Sequence, residues 1–335
     1  MTHKDIAKLV NVSPSTVSKA LAGSKEINAE TIAAIKKIAD EAGYFTEKKN
    51  HKKRTTKNMS PTVAILCPEV ISPYYASIVT GLQNEVEKFN GKTATYICGF
   101  NANKINEYIK FLEKQEAIDA IVCFHKEAYV ENISVPILYM SQIAKTIKHD
   151  AVFFNIYDAV EMAVKHLKEL GHKNIGYIGE INTSSSLDAF KSVMSAEGLS
   201  LEEKYIYVIK ERFAEIGYKA AELIIQTKYM PTAFIAAYDE IALGAIRDLK
   251  SGGISIPRDI SFVGLNDSPA SSYGETPLTT IRYHIEEQCA IAAKLLETKI
   301  FNLDYKTVQH ILVQNELIIR QTTAPPNSNN AEYLN

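Results

Sequence analysis

From Pro61 to about Thr323, short apolar runs alternate with helical stretches, and this alternation constrains the fold more than any other feature of the 335 residues. Strand-like runs begin at Val63, Thr93, Asp119, Val135, Ala151, Asn174, Tyr205, Thr232, Ile260 and Leu278. Between most of them, apolar residues recur at three- and four-residue spacing, as in Tyr75–Phe89, Tyr157–Leu170, Ile216–Thr227 and Ile241–Leu249. A strand written as a continuous apolar run is buried on both faces, and a helix is the usual crossover between parallel strands. The expected class is therefore α/β, with parallel sheets covered by helices on both faces. About 260 residues of this pattern fit two lobes better than one sheet.

A different pattern precedes it in residues 1–46. Asp5 to Val10 starts a helix, with Ile6, Leu9 and Val10 on one face, and Asn11-Val12-Ser13 breaks it. Ser13 caps a second helix, Pro14 to about Leu21, with Pro14 at its first position and Val17, Ala20 and Leu21 inward. Asn28 caps a third, Ala29 to Ala42, with Ile32, Ile35, Ile38 and Ala39 on one face, and Gly43 stops it. Three short helices, the first two joined by a tight turn, describe a helix-turn-helix head. Residues 47–60 read as a basic linker, and residues 324–335 as a polar, disordered tail.

Charge divides in the same way. Residues 1–60 hold twelve Lys and Arg against six Asp and Glu, a net +6, which leaves 25 bases against 33 acids in the rest, a net −8. A basic head on an acidic body suits a polyanionic partner, although a solvated basic tail would give the same numbers. In a helix-turn-helix the second helix enters the major groove and reads base edges with its early residues. Here those are Ser13, Pro14, Ser15, Thr16, Ser18 and Lys19: hydroxyls for base edges or phosphate, and a lysine for guanine or phosphate.

Other classes lack their marks. The N-terminus MTHKDIAKLV is charged and has no apolar core, so no secretory leader is expected, and no run is long enough to span a membrane. A cytoplasmic protein is the expectation. The four cysteines (Cys67, Cys98, Cys123, Cys289) are dispersed and read as buried thiols. No Gly-x-Gly-x-x-Gly, Walker loop, Gly-x-Ser-x-Gly elbow or His-x3-His pair is present, so neither catalysis, a cofactor nor a metal is expected. His172, after a helix end, reads as a cap on its carbonyls, and Asp239 and Glu240 as carboxylates favoured at a helix start.

The head motifs Asp5-Ile6-Ala7, Val12-Ser13, Thr16-Val17-Ser18-Lys19-Ala20-Leu21 and Ala39…Gly43-Tyr44 resemble the lactose-repressor (LacI/GalR) family. The resemblance continues through Ser72-Pro73-Tyr74-Tyr75, His166-Leu167…Leu170-Gly171-His172, Asp239…Ala242-Leu243-Gly244-Ala245, Val263-Gly264-Leu265-Asn266-Asp267 and Pro277-Leu278-Thr279-Thr280-Ile281. It implies a homodimeric repressor that docks two heads on a palindromic operator. It also implies a periplasmic-binding-protein-like body whose two doubly wound lobes hold a small effector, usually a sugar, between them. By that pattern one lobe is about 61–153 plus 283–304, and the other about 154–282 plus 305–323. Ligands in such sheets sit beyond the carboxyl ends of the strands, which brings Tyr74, Tyr75, Phe124, Ser141, Ser186, Tyr238 and Asn266 to the cleft, with Phe213 as a further aromatic face. The same resemblance adds Thr2, Lys4, Asn28 and Thr31 to the DNA contacts.

Two segments depart from the family. Its hinge helix wedges a leucine into the minor groove, but Lys53 stands near that position and no leucine occurs in 46–60. Lys48, Lys49, Lys52, Lys53 and Arg54 would instead neutralise phosphates. In the cleft, Ser186 stands where an arginine is usual, Tyr238 replaces an asparagine, Asn266 replaces an aspartate, and a carboxylate near Ser141 is absent. Charge-assisted bonds thus give way to neutral ones. Two readings stay open: a neutral ligand, a sugar or glycoside, held by aromatic faces and neutral hydrogen bonds, or a degenerate cleft with control by expression level or a protein partner. A sugar-binding module without DNA function is a third.

Overall fold

The computed structural model describes residues 3–21, 24, 26–41, 60–115, 117–125, 127–131, 133–141, 148–227, 230–302 and 304–327. The chain forms two compact units, 1–60 and 61–335.

In the first unit, α1 (His3–Val10), α2 (Pro14–Leu21) and α3 (Ala29–Glu41) pack around Ile6, Ala7, Val17, Ala20, Ile35 and Ala39, all buried. Leu9, expected inward, is 60% exposed. Helix α1 begins at His3, two residues earlier than its apolar pattern suggests, and this core needs only Ile6, Ala7 and the edge of Val10 from it. The linker at residues 47–59 lies outside the described residues.

The second unit contains two six-stranded sheets. Lobe one is built on β1 (Thr62–Cys67), β2 (Lys92–Ile97), β3 (Ala120–Cys123), β4 (Ile137–Tyr139), β5 (Asp150–Phe153) and β11 (His310–Leu312), in the order β2-β1-β3-β4-β5-β11, every neighbour parallel. Strand alternation splits its core. Val63, Ile65 and Cys67 face α4 (Pro73–Glu87) and α10 (Ile285–Phe301), while Ala64 and Leu66 face α5 (Ala102–Glu113). Lobe two is built on β6 (Ile175–Glu180), β7 (Ile206–Ile209), β8 (Ala233–Ala236), β9 (Ser261–Asn266), β10 (Thr279–Arg282) and β12 (Glu316–Ile318), in the order β7-β6-β8-β9-β10-β12 with only β12 antiparallel. Its helices are α6 (Ile156–Glu169), α7 (Ser184–Ala196), α8 (Ala214–Gln226) and α9 (Asp239–Ser251). Both sheets are doubly wound, and the order reverses beside β1 in one and β6 in the other.

Two boundaries differ from the expectation. Residues 305–313 belong with lobe one, not lobe two: β11 pairs with β5 (His310 with Ala151, Leu312 with Phe153), and the Gln309 N–H donates to Asp150 Oδ1 at 2.8 Å. The chain crosses to lobe two only after Val313. Residues 324–327, expected to open the disordered tail, are tied to lobe two instead. His172 Nε2 donates to the Ala324 carbonyl at 2.9 Å, and Ser261 Oγ exchanges 3.1 Å hydrogen bonds with the Ala324 carbonyl and N–H. The His172 backbone N–H caps α6 on the Leu167 carbonyl at 3.0 Å, while its ring holds the C-terminal segment and Thr232 Oγ1.

Candidate functional site

On the head, α2 presents Pro14, Ser15, Ser18 and Lys19 exposed, with Thr16 half-buried behind them. Ser13 Oγ accepts the Thr16 N–H at 3.1 Å and shares hydrogen bonds with Ser15 Oγ (2.7 Å) and Thr16 Oγ1 (2.8 Å), so the cap hydroxyls form one cluster. Lys19 Nζ reaches Glu26 at 2.6 Å in a solvent-exposed pair. Asn28 Oδ1 accepts the Thr31 N–H at 2.7 Å and starts α3. Thr2, the side chain of Lys4, and Lys48, Lys49, Lys52, Lys53 and Arg54 fall outside the described residues.

In the body, the carboxyl ends of both sheets open onto a cavity of about 400 Å³. The residues that follow β1, β3 and β8 (Pro68, Phe124, Ala237) and the last residue of β6 (Glu180) all line it, so it sits at both switch points. All eight expected ligand residues, Tyr74, Tyr75, Phe124, Ser141, Ser186, Phe213, Tyr238 and Asn266, are in its wall.

Local chemistry explains their placement. Ser72 caps α4, with Pro73 at the first position and Ser72 Oγ accepting the Tyr75 N–H, which delivers Tyr74 and Tyr75 in the first turn. Their rings meet at 5.0 Å between centroids. Tyr75 also meets Phe100 and Phe124 edge-on, and Tyr74 meets Phe154 and Tyr283, which stack on each other at 3.9 Å. Burial pushes the Tyr74 and Tyr75 hydroxyls up, so both stay neutral. Ser186 is buried, donates to the Thr183 carbonyl at 2.8 Å and lies 2.6 Å from the Tyr177 hydroxyl. Tyr238 accepts the Phe213 N–H at 2.9 Å. Phe213 and Asn266 hold φ of 58° and 116°, a region non-glycine residues enter at a cost and often at functional sites.

The expectation of a cleft stripped of charge is corrected. Arg212, beside Phe213, lines the cavity with Glu180 and Glu240. Its guanidinium donates from Nε to Glu180 Oε2 at 2.9 Å, from Nη2 to Glu69 Oε1 at 2.9 Å, and from Nη1 to Glu69 Oε2. Burial opposes the charge on Arg212, but the bonds to Glu69 and Glu180 outweigh it and hold the guanidinium protonated. Burial lifts Glu180 above the usual carboxylate range, with Arg212 pulling the other way. A single arginine gave no signal in the sequence, because its partners lie 32 and 143 residues away. Two polar atoms in the wall, Ser141 Oγ and Glu240 Oε1, are buried without a hydrogen-bond partner. Among the described residues no three His, Cys, Asp or Glu side chains converge as a metal site, and no helix is long and apolar enough to cross a membrane.

A helix-turn-helix head and a two-lobed body with a cavity at its strand ends are the parts expected of a DNA-binding transcriptional regulator. Residues 2–47 match the bacterial regulatory proteins, lacI family, and residues 164–323 the periplasmic binding protein-like domain. The repressor MelR of Bacillus subtilis is 27% identical (95% of this chain, 96% of MelR), and the regulator GanR of the same organism is 28% identical (96% and 99%). Among solved structures, the lac repressor dimer bound to operator and the anti-inducer ONPF superposes with a TM-score of 0.70 at 19% identity, covering 97% of this chain and 99% of that one. A LacI family regulator from Enterococcus faecium with bound ribose gives 0.68 at 22% identity, covering 79% and 99%. The chain thus joins a lacI-family helix-turn-helix domain at residues 2–47 to a periplasmic-binding-protein-like domain at residues 164–323.

Proposed function

We propose that the protein is a cytoplasmic, non-catalytic repressor whose operator affinity is set by a small neutral effector, a sugar or glycoside, in the cleft between its lobes. It acts as a homodimer on a palindromic operator, with two-fold protein symmetry matched to two half-sites. Helix α2 enters the major groove with Ser13, Pro14, Ser15, Thr16, Ser18 and Lys19. Thr2, Lys4, Asn28 and Thr31 add contacts, and the linker bases Lys48, Lys49, Lys52, Lys53 and Arg54 neutralise phosphate.

One observation carries the effector reading: residues from separate segments of both lobes converge on a single cavity whose wall is aromatic and holds two unpartnered polar atoms. Rings cover the apolar faces of a pyranose or furanose, and Ser141 and Glu240 satisfy hydroxyls. The bound ribose in the similar E. faecium protein supports the same class. Neutrality follows from charge. Arg212 is the one Lys or Arg among the described lining residues, and it is already engaged by two carboxylates. Among those residues a phosphate or carboxylate on the ligand would meet acidic groups and no free cation.

The test is a thermal-shift screen of the full chain against neutral sugars and glycosides, sugar phosphates and nucleosides. A ligand at 100 times its Kd stabilises the fold by about 2.7 kcal/mol, which in a domain of this size raises Tm by roughly 5–10 °C. A shift with a neutral sugar supports the reading, and a shift confined to sugar phosphates overturns the neutral class. A second reading, a degenerate cleft under the control of a protein partner, draws on the inward bonding of Ser186, and it gains if nothing in the panel shifts Tm.

A further inference from the structure

The side chain of Arg212 belongs to lobe two, in the loop between β7 and α8, yet it bonds to lobe one through both of its Nη atoms. Glu69 lies in the loop after β1, the first connection of lobe one, and takes those two atoms in a bidentate fork. Glu180, at the end of β6, takes Nε. The guanidinium also lies 5.3 Å from the Phe100 ring of lobe one and 4.7 Å from the Phe213 ring of lobe two. Side-chain exposures are 30% for Arg212, 11% for Glu69 and 4% for Glu180, so solvent screens the contact little. The planar fork makes such a pair directional as well as strong.

We propose that Glu69, Arg212 and Glu180 form a latch that holds the two lobes closed before any effector binds, with Arg212 as the positioning residue. Glu180 anchors the guanidinium to its own lobe, and Glu69 is the catch. Opening the cleft strips Arg212 of its two Nη bonds and of Phe100 together, but leaves the Glu180 bond intact. The arginine therefore stays attached to lobe two, ready to re-engage. The latch decides how much of the effector's binding energy is spent on closure: a lobe pair already closed needs little, a free pair needs more. For that consequence alone the proposal rests on the effector reading; the latch itself is measurable without a ligand.

The test uses the full chain with nitroxide labels at Asn103→Cys and Ser192→Cys, exposed helix positions in lobes one and two that do not line the cavity. The four native cysteines are buried, with thiols pushed up to about 11 or 12 by burial, and label poorly. Labelled chain is diluted into unlabelled chain, and electron–electron distances are recorded without ligand. In the parent chain one short distance dominates. Glu69→Gln, isosteric and removed from the anchor, raises the open-to-closed ratio by about tenfold or more, since truncating one side of a desolvated pair is costly. Arg212→Lys, which keeps the charge and loses the fork, falls between. Distance distributions identical in the three chains overturn the latch. If Glu69→Gln opens the cleft and no sugar binds, the latch stands and the effector reading fails. If a sugar binds and the distances do not change, the reverse holds.

Discussion

Asp239 has no exposed surface, and its carboxyl oxygens accept the Ser268 N–H and the Thr280 hydroxyl, both at 2.5 Å. Gly264 leaves the space: a Cβ there would stand 2.2 Å from Asp239 Oδ1. Burial outweighs the two hydrogen bonds and pushes the acid up to about 8. The native state therefore keeps a proton up to about pH 8 that the unfolded chain releases near pH 4. The native state binds more protons in that window, so stability from this group is full below pH 4 and falls as pH rises to 8. His149, His166 and His172, whose affinity for protons burial lowers, act in the opposite direction. Urea unfolding of the parent chain and Asp239→Asn at pH 5 and pH 8 isolates the contribution of this carboxyl group. The variant gains stability relative to the parent at pH 8, and an equal difference at both pH values would refute the assignment. At this scale the sequence was legible where a residue sits in a collinear motif, as with Tyr74, Tyr75, Tyr238 and Asn266. It was silent on Glu69, Glu180 and Arg212, because a charge shows its meaning only when the fold brings its partners.

Helices α8 and α9 pack backbone to backbone. A Cβ on Gly217 would lie 2.2 Å from the Ile241 carbonyl oxygen, and one on Gly244 would lie 2.4 Å from that of Ala214. Neither obstacle is the end of a flexible side chain, so an added methyl parts the helices. Gly244→Ala should cost about 1–3 kcal/mol by overpacking, although alanine is the better helix former by about 1 kcal/mol. Gly274→Ala, where the nearest atom is at 3.8 Å, should be near neutral. Chemical denaturation of both variants separates packing from propensity, and a stabilised Gly244→Ala would contradict the packing. In the head, Ser13→Ala removes the cap on the Thr16 N–H and should lower head stability by about 1 kcal/mol. Ser18→Ala, exposed and away from the cap, should weaken operator binding while leaving the melt unchanged. Most element types were readable from periodicity, because β1, β3 and β8 are continuous apolar runs. Strands β11 and β12 were not: three residues each with half-exposed patterns carry no usable period, and sheet pairing alone makes them strands. That is why the last lobe boundary moved.

At the scale of the whole molecule, the proposed repressor needs a head whose second helix reads DNA, a basic linker that holds phosphate, and a body whose lobes are bridged by the Glu69–Arg212–Glu180 contacts. If the five linker bases neutralise phosphates, changing Lys48, Lys49, Lys52, Lys53 and Arg54 to Gln should flatten the log–log salt dependence of operator binding by about 0.9 for each phosphate that is no longer neutralised. An unchanged slope would mean that the linker takes no part in holding DNA. The central claim is that cleft and head are coupled. Its most direct test is the affinity of the full chain for a palindromic operator, selected from a random DNA library, with and without the neutral sugar that most raises Tm. The account predicts a change of about fivefold or more at saturation, the lower edge of ordinary allosteric coupling. Equal affinities in the presence and absence of a sugar that demonstrably fills the cleft would contradict it.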